Sequence, residues 1–107
     1  ANQVAASLLL AHPNLDALLC ANDNMALGAL AAVKAAGRQD SVKIVGFDNI
    51  SAVRTLVRDN SVLATVDQHA DKIAVNGIEH ALAILDRTQE PVDLETAVTL
   101  ITADTVQ

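Results

Sequence analysis

The sequence predicts an α/β fold, an open parallel sheet with helices on both faces, from three observations. Short apolar runs alternate along the chain with longer helical stretches. The runs are continuously apolar instead of alternating in and out, the pattern of strands covered on both sides. A turn-forming or polar pair closes each run before the next helix begins, as successive βαβ units require.

Val4, Ala5, Leu8 and Leu9 recur at helical spacing and predict a first helix. It stops before His12-Pro13, because proline disfavours helix in the residue preceding it. Ala17 to Ala21 is an apolar run that reads as a first strand, and Asn22, Asp23 and Asn24 are good N-caps for a helix over Met25 to Ala36. That stretch is rich in Ala and Leu and nearly uncharged, so it is expected to be buried on most sides, with Gly37 as its left-handed terminator. Val42 to Phe47 is the second strand, closed by Asp48-Asn49. Ser51 is expected to cap a third helix with Val53, Leu56 and Val57 facing inward, ending at Asp59-Asn60. Val62 to Val66 is a third strand. The stripe Ile73, Ala74, Gly77, Ile78, Ala81, Leu82 and Leu85 marks a fourth helix, and Ala97 to Thr102 a last strand beyond the polar connection around Pro91.

With 107 residues, the chain fits one domain able to bury a core, and 51% hydrophobic residues make it too apolar for disorder. No apolar run is long enough to cross a bilayer. The net charge is -6 and the seven Lys and Arg residues are scattered, which argues against nucleic-acid binding by this segment, since phosphate neutralisation needs a basic stripe. Cys20 is the single cysteine; it has no partner for a disulfide or thiolate cage and reads as a structural thiol. Ala1 begins directly in an amphipathic stretch without an initiator Met, and Met25 falls inside a helix, so a processed or truncated product is expected.

In open parallel sheets, ligands bind beyond the carboxyl ends of the strands. The residues expected there are Asn22-Asp23, Asp48-Asn49 and Asp67-Gln68, a set of carboxylates and amides with no Lys or Arg. A phosphate would call for a glycine-rich or basic turn. Carboxylates that accept two hydrogen bonds, beside amides that both donate and accept, suit a ligand with many hydroxyls, a neutral sugar above all. Helix capping and turn formation compete for the same residues. Catalytic readings are weaker: His12, His69 and His80 lack metal-ligand spacing, no serine sits in a nucleophile elbow, and nothing separates the pKa values of Asp23 and Asp48. No enzyme activity, cofactor or metal is expected.

Ala21-Asn22-Asp23-Asn24-Met25-Ala26-Leu27-Gly28-Ala29-Leu30, Ile44-Val45-Gly46-Phe47-Asp48 and Leu63-Ala64-Thr65-Val66-Asp67-Gln68 resemble three consecutive signatures. They are those of the ribose-binding-protein-like, type I periplasmic sugar-binding components of ABC transporters. The resemblance implies sugar contacts at Asn22, Asp48 and Gln68, helix capping by Asp23, a periplasmic location and a membrane permease as partner. It also implies that residues 1–107 are a single incomplete domain from the carboxyl-terminal part of the protein. Residues 1–68 and 96–107 would belong to the carboxyl-terminal lobe, and 69–95 would pack on an absent amino-terminal lobe. Phe47 is the only aromatic residue, so the rings and arginines that complete such sites would come from elsewhere. Without the other lobe, the stripe on the fourth helix is expected to pair two copies of the fragment, because Asp67-Gln68-His69 leaves little slack for folding back. The alternative function is the effector-binding core of a lactose-repressor-type regulator, which resembles the same superfamily.

Overall fold

The computed structural model describes residues 1–107 and contains eight elements in the expected order. They are α1 (Asn2–Ala11), β1 (Ala17–Leu19), α2 (Asp23–Ala35), β2 (Lys43–Val45), α3 (Ser51–Arg58), β3 (Ala64–Asp67), α4 (Ala70–Leu85) and β4 (Thr99–Thr102). α2 starts where its caps predict: Asn22 is extended and its Oδ1 accepts the Met25 N–H at 2.9 Å. It ends before Gly37, whose φ of +66° lies in the left-handed region that glycine enters without strain. Ser51 is not the cap expected of it. It is the first helical residue of α3, the capping position is Ile50, and no neighbouring side chain caps the helix.

The strands lie in sequence order, β1-β2-β3-β4. β1, β2 and β3 are parallel, with Leu18 beside Ile44 and Val45 beside Ala64. β4 is antiparallel to β3, Asp67 facing Thr99 and Ala64 facing Thr102, so the sheet is mixed at one edge. The direction follows from the route of the chain. It leaves the sheet after Asp67 and re-enters at Thr99, the same end, and a strand entering there must run against its neighbour.

One cluster holds the core: Ala5 and Leu9 of α1, Ala26, Ala29, Leu30 and Val33 of α2, Val53 and Val57 of α3, and Ile44 from the sheet. Alanines on α2 let α1 and the sheet approach closely. Burying each Val or Leu there contributes about 1.5–3 kcal/mol. The register places Leu19, Val45, Ala64, Val66 and Leu100 on the opposite face of the sheet, where Leu19 is 81% and Leu100 58% exposed. Within this chain, then, the three packed helices cover one face.

α4 stands apart. None of its residues is buried, and Ile78 and Leu85 on its apolar stripe are 63% and 77% exposed. The molecule accordingly measures 58 × 29 × 18 Å. Its radius of gyration, 17.9 Å, exceeds the value of about 13 Å for a compact chain of this size.

Candidate functional site

Because β1, β2 and β3 are parallel, their carboxyl ends share one edge, and α2, α3 and α4 each begin there. The expected residues occupy that edge. Gln68 Nε2 donates to Asp48 Oδ1 at 2.7 Å, so the carboxylate after β2 and the amide after β3 are in contact. Both side chains are half-buried. Gln68 Oε1 and Asp48 Oδ2 make no hydrogen bond within the chain. Asn22 is also half-buried; its Oδ1 is engaged in capping α2, and its NH₂ makes no hydrogen bond within the chain. The two loops are tied together where the Asp23 N–H donates to Phe47 O at 2.7 Å.

Around this pair the backbone is strained. Asp48, Asn49 and His69 have φ values of 119°, 57° and 53°, a region costing a non-glycine residue about 1–3 kcal/mol. Asp and Asn tolerate it better than most. The loop is fixed by several bonds: Asp48 N–H to Val66 O at 2.8 Å, Asn49 N–H to Thr65 Oγ1 at 3.3 Å, and Asn49 Nδ2 to Asp67 Oδ2 at 3.1 Å. Asp67 in turn accepts the His69 N–H at 2.8 Å. That backbone N–H is the main reason its carboxyl sits below the ordinary value of 3.8, with the Asn49 amide, His69 and Arg54 adding to the effect against partial desolvation.

Asn22 caps α2, and Asp23 does not take the capping role expected of it, because its carboxylate is turned to β3 and the start of α3 instead. Asp23 is wholly buried; Oδ1 accepts from the Thr65 hydroxyl at 2.7 Å and Oδ2 from the Ile50 N–H at 2.8 Å. The start of α3 is thus satisfied by a carboxylate from the preceding βα junction. Thr65, also wholly buried, was not singled out by the sequence, where it reads as one more β-branched strand residue. The signal was Gly46: an added Cβ there would overlap Asp23 Oδ1, so the glycine makes room for the carboxylate.

The remaining candidates do not converge. His12 is the exposed C-cap of α1, His80 lies on α4, and His69 Nε2 is 2.8 Å from Thr99 Oγ1, holding β4 beside the end of β3. No group of three His, Cys, Asp or Glu side chains is placed to hold a metal ion. Burial, and then the negative charge of Asp23, push the Cys20 thiol above its ordinary 9.0, so it is protonated and poorly nucleophilic at neutral pH. An apolar groove of about 310 Å³ between α1 and β1 is lined only by hydrophobic residues, Val4, Leu8, Leu19 and Met25 among them, and has no side chain to orient a polar ligand.

A mainly parallel sheet with carboxylates and amides gathered at the carboxyl ends of its three parallel strands defines a lobe of the open α/β class, with its polar chemistry at the loops. The chain belongs to the periplasmic binding protein domain family, whose pattern matches residues 1–89. It is 50% identical over 107 aligned residues to a D-ribose/D-allose-binding protein of Pseudomonas aeruginosa, an alignment covering 95% of this chain and 33% of that protein. It is 40% identical to the ribose import binding protein of Escherichia coli, over 89% of this chain and 33% of that one. Its fold superimposes with a TM-score of 0.89, at 31% identity, on an ABC transporter periplasmic solute-binding protein of Actinobacillus succinogenes with bound D-allose. That match covers 97% of this chain and 36% of the other. The chain thus spans about a third of the length of the curated relatives it matches.

Proposed function

We propose that the protein to which this segment belongs is the periplasmic sugar-capturing component of an ABC import system. It binds a small sugar between two lobes and delivers it to a membrane permease, without catalysing a reaction. The observation that carries this reading is the Asp48–Gln68 contact at the common strand edge, flanked by the free amide of Asn22. A carboxylate oxygen, an amide oxygen and an amide NH₂ match the alternating acceptors and donors of adjacent sugar hydroxyls. The relatives named above are ribose, ribose/allose and allose binders, which favours a pentose or hexose of that kind and gives no support to a repressor.

Residues 1–68 and 96–107 then form part of one lobe, and 69–95 pack on the other. The uncovered stripe of α4 supports that division, since a helix with no buried residue in its own chain calls for a partner. In the isolated 107-residue chain, we propose that the same stripe pairs two copies.

Calorimetry with D-ribose and D-allose on the full-length protein tests the site. Asp48→Ala is expected to weaken binding about ten- to a hundredfold, because a hydrogen bond to a charged group contributes about 1.5–3 kcal/mol, against about 1 for a neutral one. Gln68→Ala and Asn22→Ala should each cost less. Unchanged affinity in Asp48→Ala rejects the assignment.

A further inference from the structure

We infer that Asp23 and Thr65, neither of which is exposed to a ligand, are positioning residues that hold Asp48 in its binding geometry through a buried carboxylate–hydroxyl–amide relay. This rests on the reading of Asp48 as a sugar contact. Both residues are wholly buried. The relay runs from Asp23 Oδ1 to the Thr65 hydroxyl, 2.7 Å, and from Thr65 Oγ1 to the Asn49 N–H, 3.3 Å. Its second arm runs from Asp23 Oδ2 to the Ile50 N–H, 2.8 Å. Those two N–H groups follow directly after Asp48. They belong to the stretch in which Asp48 and Asn49 take positive φ, a conformation such residues hold only when the surroundings over-determine it.

The chemistry explains why a threonine and an aspartate are needed. A hydroxyl is the one small group that donates to a carboxylate while accepting from an amide, and an ionised carboxylate accepts at both oxygens without supplying a competing donor. Valine fills the space of threonine but leaves the Asn49 N–H and one Asp23 oxygen without a partner inside the protein. Released from the relay, the Asp48–Asn49 peptide relaxes out of its strained conformation, and the Asp48 carboxylate moves off the line set by its bond to Gln68. A fraction of an ångström is enough to lose a hydrogen bond to a sugar hydroxyl.

The experiment is a set of variants of the full-length protein titrated with D-ribose and D-allose: Thr65→Val, Thr65→Ser, Asp48→Ala and Thr65→Val with Asp48→Ala. Thr65→Val is expected to lose about tenfold in affinity, the effect of one misdirected charged hydrogen bond. Thr65→Ser, which keeps the hydroxyl, should return to within about threefold of the parent, an expectation set by its equal hydrogen-bonding capacity. In the Asp48→Ala background, Thr65→Val should have little further effect, since the residue it positions is gone. If Asp48→Ala leaves affinity unchanged, the binding site itself is misassigned. If Asp48→Ala weakens binding while Thr65→Val does not, or weakens it as much in the Asp48→Ala background as in the parent, the relay is overturned and Thr65 is merely structural. Amide exchange at Asn49 and Ile50 gives a second measurement: it should speed up in Thr65→Val and not in Thr65→Ser. Equal exchange in the two variants rejects the proposal even where Thr65→Val is too unstable to titrate.

Discussion

Replacing Gly46 with alanine puts a methyl group where the Asp23 carboxylate now lies. Gly46 is buried at the end of β2, and its backbone is one any residue can adopt, so the cost is steric and not conformational. The new Cβ would overlap Asp23 Oδ1 and stand 3.3 Å from Ala26 Cβ, one turn further along α2. Overpacking of this kind costs about 1–3 kcal/mol. Asp23 has no free space and relieves the overlap only by turning away from the Thr65 hydroxyl or the Ile50 N–H, each a charge-assisted bond worth about 1.5–3 kcal/mol. Because movement that eases the clash weakens the bonds, the two costs do not fully add, and a loss of about 3–5 kcal/mol is expected. Urea denaturation followed by far-UV circular dichroism measures it. Gly77→Ala is the comparison, with nothing within 4 Å of the added methyl. There the better helix propensity should stabilise α4 by about 0.5–1 kcal/mol. A loss below about 1 kcal/mol for Gly46→Ala would refute the close fit between this glycine and the carboxylate.

Two further outcomes are expected. The Asp67 carboxyl is held below its ordinary value, so its contribution to stability is complete above about pH 4 and disappears as pH falls through the depressed native value. Melting temperature followed down to pH 2.5 should therefore drop less steeply in Asp67→Asn than in the parent, and parallel curves would count against the His69 N–H as the cause. The isolated 107-residue chain should dimerise through α4 in light scattering over a dilution series, and Ile78→Glu with Leu82→Glu should make it monomeric; a parent chain that is monomeric at every concentration rejects the pairing.

Much of this was legible in the sequence because the signals are local. An apolar run followed by Asn22-Asp23 or Asp48-Asn49 marks both where a strand ends and where polar chemistry collects, and Asp48 and Gln68 meet at that edge. What escaped was non-local. Ser51 satisfies every local rule for a cap, yet the start of α3 is bonded by Asp23, far back in the chain, which composition near Ser51 does not reveal. The direction of β4 was hidden because apolar patterning is the same in either direction, and the route taken by α4 decides it. The stripe on α4 correctly marks an apolar face, but a stripe does not identify what covers it.

The pairing of β4 with β3 has a consequence for the order in which the chain assembles. Pairing β1 with β2 and β2 with β3 also closes long loops, but each of those loops holds a helix, α2 or α3, that packs on the core and offsets the closure. β4 is different: joining Thr99 to Asp67 closes a loop of roughly 30 residues, at an entropic cost of about 3 kcal/mol, and α4 within it has no buried residue to offset that cost. Within this chain the last strand is therefore expected to dock late in folding and to open early in the native state. The bond from His69 to Thr99 is the latch that closes behind it.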